Sequence, residues 1–278
     1  MNADRTPLVS DVELVARIER AEVDLMAECA AGTGFVRSLA GGVATFAGPG
    51  SPFNKVAGLG FGGVPDESAL DEVEAAYAAH GTAMQVELAH LADPAIGVLL
   101  TGRGYLLESF EDVLGLALDG GHEPSTPPGI VVRPSGDDEG DDEFDRWLAV
   151  MADSVAHPDT QGVPWHTEFP RDDYLRAERL LAGAGVRRYA AWLDGVLAGG
   201  AGLRMADGIA QFAGAATTPR HRRRGIQSAL LSARLADAGA AGCDVAVITT
   251  QPGSRSQQNA QRRGFQLLYT RATLVKHL

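Results

Sequence analysis

At 278 residues the chain is long for one compact domain and sufficient for two. Hydrophobic residues make up 45% and charged residues 22%, a composition able to bury a core, and no apolar run approaches the ~20 residues that span a bilayer. A net charge of −12 argues against nucleic acid as a partner, because phosphate backbones are held by broad basic surfaces. No basic segment followed by an apolar one opens the chain, so a soluble, cytoplasmic protein is expected. Cys29 and Cys243 match no metal or redox spacing and read as small buried residues rather than a disulfide.

In chain order, the first pattern is Gly58-Leu59-Gly60-Phe61-Gly62-Gly63, which satisfies the GxGxxG dinucleotide fingerprint. That fingerprint needs its third glycine to open a helix, whereas Val64-Pro65-Asp66 intervenes here and Asp66 reads as a separate helix cap. A nicotinamide or flavin enzyme is therefore the weaker reading. Periodicity then predicts a helix over Glu67–His80, a strand over Ala83–Leu91 and a short helix over Asp93–Thr101. Glycine, proline and small polar residues between Gly120 and Gly129 mark a linker, dividing a domain of residues 1–125 from one of residues 128–278. The acidic run Asp137–Glu143 reads as a solvated linker and helix start, with a role in gathering cationic substrates as the alternative.

Beyond the linker a strand is expected at Ile130–Arg133, a helix from Glu143 to Val155 and a second from Pro170 to Ala184. Arg187–Leu193, Val196–Leu203 and Ile209–Ala216, joined by Asp194-Gly195 and Asp207-Gly208, read as a three-stranded meander. A helix opening at Gly225, a buried strand at Asp244–Thr250, a short helix at Ser256–Arg263 and a strand at Phe265–Val275 complete a mixed α/β sheet. Arg103-Gly104-Tyr105-Leu106-Leu107 echoes Arg263-Gly264-Phe265-Gln266-Leu267, each after helix–strand–helix, which suggests an internal duplication.

The chemistry concentrates at Arg222-Arg223-Arg224-Gly225-Ile226-Gln227, between a strand end and a helix start. Unpartnered backbone N–H groups and the helix dipole make such a start an anion site, and arginine forks reinforce it. Three arginines at a helix start oppose the usual dipole preference, so a bound anion is expected. The segment Pro219–Leu231 resembles the acetyl-CoA motif of the GNAT superfamily of N-acetyltransferases, Arg/Gln-x-x-Gly-x-Gly/Ala, with Arg222 and Gly225 matching and Gln227 departing at the last small position. Element order over residues 128–278 matches that family as well. Together with the internal echo, the resemblance implies tandem GNAT-like domains, the first of them degenerate; an unrelated accessory α/β domain over residues 1–125 is the alternative.

The resemblance further implies that backbone amides of Arg223, Arg224, Gly225, Ile226, Gln227 and Ser228 hold the coenzyme pyrophosphate. The strand end at Ala215 and Thr217 would run beside the pantetheine arm, and Asn259 would contact the cofactor. Acetyl transfer to a small-molecule or peptide amine is the implied reaction, without a metal. The position of the family's acidic tyrosine falls on Ala260 here, leaving Tyr269 as a candidate phenol. The strand offers Gln211 where relatives have a base, so Glu168 and His166, in the loop before the second helix, are candidates for receiving the amine proton. A non-catalytic acyl-CoA-binding module, or a nucleic-acid contact through Arg220–Arg224, are the rival readings.

Overall fold

The computed structural model describes residues 8–118, 124–135, 141–158, 163 and 170–278. Two compact units emerge. One is built mainly from Leu114–Thr249 and Gly253–Gln266, the other mainly from Val9–Val113 and Leu267–Leu278. A single cut in the chain does not separate them.

The unit built on Val9–Val113 opens with α1 (Val12–Ala30), which lies outside the elements expected from periodicity, as do the three strands that follow. Asp11 caps the helix by accepting from the Leu14 N–H at 2.8 Å, and Val15, Ile18, Leu25 and Met26 bury one face. Strands β1 (Phe35–Leu39) and β2 (Gly42–Phe46) form a hairpin through Ala40 and Gly41. Both turn residues have positive φ, as a two-residue hairpin demands. Next come β3 (Lys55–Ala57), α2 (Glu67–Ala79), β4 (Met84–Ala89) and α3 (Pro94–Gly102), the last three close to their expected bounds. Tyr77 of α2 is buried and its hydroxyl donates to the Thr45 carbonyl at 2.7 Å, fastening the helix to β2.

Strand β5 (Leu106–Ala117) contributes its first eight residues to this unit and its last four to the other. In the second unit, β6 (Ile130–Ser135), α4 (Asp141–Ala156) and α5 (Arg171–Gly183) lead into β7 (Arg187–Leu193) and β8 (Val196–Ala206). The third meander strand differs from expectation. Instead of one run over 209–216 it is split into β9 (Ile209–Gln211) and β10 (Ala215–Thr217). The cause is a bulge: the Gly202 N–H points at both the Ala213 and Gly214 carbonyls, at 2.8 and 3.2 Å, and Gly214 has φ +37°. Then follow α6 (Ile226–Ala240), β11 (Val245–Thr250), α7 (Arg255–Arg262) and β12 (Gln266–Lys276). Ile226, Ala229 and Leu230 of α6 are buried in the core of this unit, as their spacing predicts.

The last strand departs from the expected division. β12 pairs antiparallel with β4, from Arg271 opposite Ala89 to Lys276 opposite Met84, and Leu267–Leu278 belong with Val9–Val113. The echo between the halves is geometric as well. In one half the Tyr105 N–H donates to the Leu100 carbonyl at 3.1 Å, and in the other the Phe265 N–H donates to the Ala260 carbonyl at 3.2 Å. Gly104 and Gly264 take the left-handed conformation at φ +87° and +94°, and both aromatic rings are buried. Cys29 and Cys243 are buried thiols.

Candidate functional site

The site follows from how β9, β10 and β11 part. β11 pairs parallel with β9 as far as Val247 opposite Gln211, and the Phe212 N–H donates to the Val247 carbonyl at 2.9 Å. After the bulge, β10 pairs with β8, and among the described residues no pairing joins it to β11. A cavity of about 600 Å³ fills this splay and continues to the start of α6. Every residue lining it lies in the unit built on Leu114–Thr249.

Of the residues singled out in the sequence, Ala215 and Thr217 line the β10 side of the cavity. Arg222, Arg223, Gly225, Ile226, Gln227 and Ser228 line its floor at the helix start, and Asn259 lines it from α7. The loop is shaped by two left-handed residues, Arg223 at φ +63° and Gly225 at φ +89°. The first helical bond runs from the Ala229 N–H to the Gly225 carbonyl at 3.0 Å, so the Ile226, Gln227 and Ser228 N–H groups have no intrahelical acceptor. Thr217 is 7% exposed and its hydroxyl oxygen is buried without a hydrogen-bond partner. A buried hydroxyl left unsatisfied is costly, and a ligand amide in the splay would relieve it.

The lining carries Arg222, Arg223, Arg234, Arg255, Arg262 and Arg263, with no carboxylate. In a chain of net charge −12 this is a local concentration of positive charge able to attract an anion. Arg255 and Arg262 look like ordinary polar positions of a short helix, and Arg234 lies on the buried face of α6; their convergence depends on how α6 and α7 pack. His221 shares the cavity; its Nδ1 is 2.8 Å from the Thr218 hydroxyl, and burial together with Arg220 and Arg224 holds its pKa below the usual imidazole value.

Two arginine side chains do not point where the motif suggested. Arg222 donates through Nη2 to the Ser154 carbonyl at 3.3 Å and to the His157 carbonyl. Its guanidinium thus caps the negative end of α4, and its backbone N–H donates to the Pro219 carbonyl at 3.4 Å. Arg224 lies outside the cavity lining and sits 3.6 Å from the Asp194 carboxylate, both side chains more than half exposed. Asn259 keeps its place, its side-chain carbonyl accepting from Arg262 Nη1 at 3.1 Å.

Tyr269 is corrected outright. It belongs to the other unit, is 1% exposed, and its hydroxyl donates to Glu19 Oε1 at 2.5 Å. Arg271 Nε donates to the same oxygen at 2.7 Å, and burial raises the phenol pKa well above its usual value. This phenol is a core group. Glu168 and His166 lie outside the described residues.

A carboxyl that sequence reasoning missed stands at the bulge. A Cβ placed on Gly214 would be 3.7 Å from Glu178 Oε1 of α5. Burial pushes the Glu178 carboxyl up, partly offset by a hydrogen bond from Tyr174. Its helical position Ala177-Glu178-Arg179 looks like an ordinary polar face, so only the packing of α5 on the bulge reveals it.

Among known proteins, residues 149–265 match the family model described as Acetyltransferase (GNAT) family. Among curated proteins no sequence match is found. A solved GCN5-related N-acetyltransferase from Kribbella flavida shares the fold with TM-score 0.68 at 20% identity, covering 94% of this chain and 95% of that one. A tandem GNAT protein from the clavulanic acid biosynthesis pathway aligns with TM-score 0.59 at 15% identity, over 98% of this chain and 97% of that one. L-PGS from Bacillus licheniformis aligns with TM-score 0.51 at 11% identity, over 99% and 94%. At such identities the likeness is one of fold. The full-length alignment with a tandem protein fits two GNAT-like halves. Among the described residues no helix is long and apolar enough to cross a membrane.

Proposed function

We propose, from the premise that the C-terminal region is a GNAT acetyltransferase domain, that this chain transfers an acetyl group from acetyl-CoA to an amine. The observation that carries the reading is the arginine-rich, carboxylate-free cavity joining the start of α6 to the splay between β10 and β11. Its parts fit an acyl-CoA ester in kind and in order. Left-handed loop residues and free first-turn N–H groups suit a pyrophosphate, and the unpaired edge of β10 with the orphaned Thr217 hydroxyl suits the amides of a pantetheine arm. Bound there, acetyl-CoA supplies an activated thioester.

The chain's own groups then hold and orient. The loop would fix the phosphates and the free edge of β10 would align the arm. Glu178, its pKa raised by burial, is the carboxyl we assign to receive the proton of the attacking amine. The acceptor is a small-molecule or peptide amine. The other half would not hold the cofactor. Its Gly58–Gly63 loop offers no arginine, and Gly60 is packed so closely on Ala92 and Ile96 that a Cβ would lie 2.6 and 2.8 Å from their side chains.

A non-catalytic acyl-CoA-binding module is the second reading, favoured by Ala260 where a tyrosine acid would stand and by the burial of Tyr269. Thermal unfolding of the full chain with acetyl-CoA, NAD+ as control, tests the shared part. At 100 times its Kd a ligand stabilises by about 2.7 kcal/mol, on the order of 5–10 °C for domains of this size. Release of free CoA with a panel of amines separates the two readings. Glu178→Gln is expected to bind acetyl-CoA like the wild type while turnover drops by at least tenfold; equal turnover removes Glu178 from the reading.

A further inference from the structure

Arg234 of α6 carries a charge that the fold of its unit does not require. It is 3% exposed, and its guanidinium lies 4.6 Å from the centre of the Phe212 ring. Nη1 donates to the Gly202 carbonyl at 3.0 Å and Nε to the Leu230 carbonyl at 3.2 Å. Among the described residues no carboxylate pairs with it. Burial pushes its pKa down to about 9, opposed only by the Tyr189 phenol. A carbonyl left without a strand partner beside a bulge needs a donor, which a neutral amide would provide. A buried cation without a counter-ion costs several kcal/mol more than that task demands.

The position suggests what the charge serves. Arg234 lines the cavity together with Phe212, Gly214, Ile248 and Ala260, so it borders the bulge end of the splay. Eight residues of helix separate it from Ile226, about 12 Å of rise from the anion loop. That is the distance scale of a pantetheine arm. Ala260, where the resemblance would put an acid for the leaving group, offers only a methyl.

We propose that the Arg234 guanidinium stabilises the thiolate that departs from the acyl-CoA ester, in place of a proton donor. The inference rests on the acetyl-transfer reading above. In the step it serves, the amine nitrogen forms a C–N bond to the thioester carbonyl carbon and the C–S bond breaks. The electron pair stays on sulfur and the amine proton leaves through the base. The thiolate takes a proton from water after release. A preorganised positive charge in a site of low dielectric lowers the cost of that sulfur anion without a proton transfer.

The test uses CoA itself, bound to the full chain, with the ultraviolet absorbance of its thiolate followed against pH relative to the desulfo-CoA complex. Bound thiol is expected to have an ionisation constant at least tenfold above that of free CoA. Arg234→Met should abolish that shift and Arg234→Lys should retain most of it. His221, Arg222, Arg223, Arg255, Tyr189 and Glu178 are unchanged in both variants, so the difference reports on Arg234. Bound thiol ionising like free CoA in the wild type overturns the proposal, whether or not either variant folds. So does an unaltered shift in Arg234→Met. Absence of any CoA binding overturns the acetyl-transfer reading with it, whereas binding with an unshifted thiol overturns this inference alone.

Discussion

Replacing Gly225 by alanine probes the anion loop through its backbone and leaves every charge in place. Gly225 caps α6 at φ +89° and ψ 1°, a left-handed conformation. A residue with a Cβ held there costs about 1–2 kcal/mol. The new Cβ would also stand 2.9 Å from Pro127 Cγ, and a ring fixed in the chain gives way poorly. Together these come to about 2–3 kcal/mol if the loop keeps its shape. The cheapest relief is rotation of the first turn of α6, which re-aims the Ile226, Gln227 and Ser228 N–H groups. Since 1.4 kcal/mol is a factor of ten, acetyl-CoA affinity should fall between ten- and a hundredfold. Tm should fall by about 4–10 °C. Calorimetric titration reads the first effect and a melting curve the second. Gly239→Ala is the internal control, because Gly239 sits in the same helix with nothing within 4 Å of a new Cβ. It should gain about 0.5–1 kcal/mol and bind unchanged. Wild-type affinity in Gly225→Ala would refute the claim that this loop holds the phosphates.

Arg222→Ala should destabilise by about 1 kcal/mol through loss of the α4 cap, and acetyl-CoA affinity should drop less than tenfold; a larger loss in titration would return Arg222 to the phosphates. Tyr269→Phe should cost about 1–3 kcal/mol in urea unfolding, by removing a hydroxyl from the buried Glu19 carboxylate, with acetyl transfer unchanged; lost transfer with intact stability would reverse the assignment. Glu111 has its carboxyl pushed up to about 7, by burial first and by Glu87 next. Because the folded state holds that proton between about pH 4.5 and 7 and the unfolded state does not, Glu111 makes stability fall as pH rises through that window. Glu111→Gln should flatten the decline, by an amount on the order of 2 kcal/mol once its 31% side-chain exposure is allowed for. Parallel wild-type and variant curves of unfolding free energy from pH 5 to 8 would exclude it.

Much of the fold was legible because its signals are local. Hairpins at Asp194-Gly195 and Asp207-Gly208 announce themselves by turn chemistry, and both aspartates adopt the positive φ that such turns need. The apolar face of α6 follows from helical spacing, and the arginine–glycine loop follows from unusual charge at a helix start. Asp11 caps α1 in an ordinary way, yet neither this helix nor β1–β3 carries a charge or turn pattern as distinctive as the arginine–glycine loop.

What the sequence by itself determined is therefore most of the local elements beyond residue 66 and the arginine–glycine turn at the start of α6, since backbone periodicity, caps and turns depend on neighbours along the chain. Tertiary structure decided which side chains meet. Tyr269 finds Glu19 250 positions away, and β12 completes a sheet with β4 instead of closing the unit that precedes it. Arg222 turns to the carbonyls of α4, while Arg234 and Glu178 gather at a bulge that no turn signal marks. These outcomes come from competition among partners distant in sequence for buried hydrogen bonds and charge, which no local pattern records.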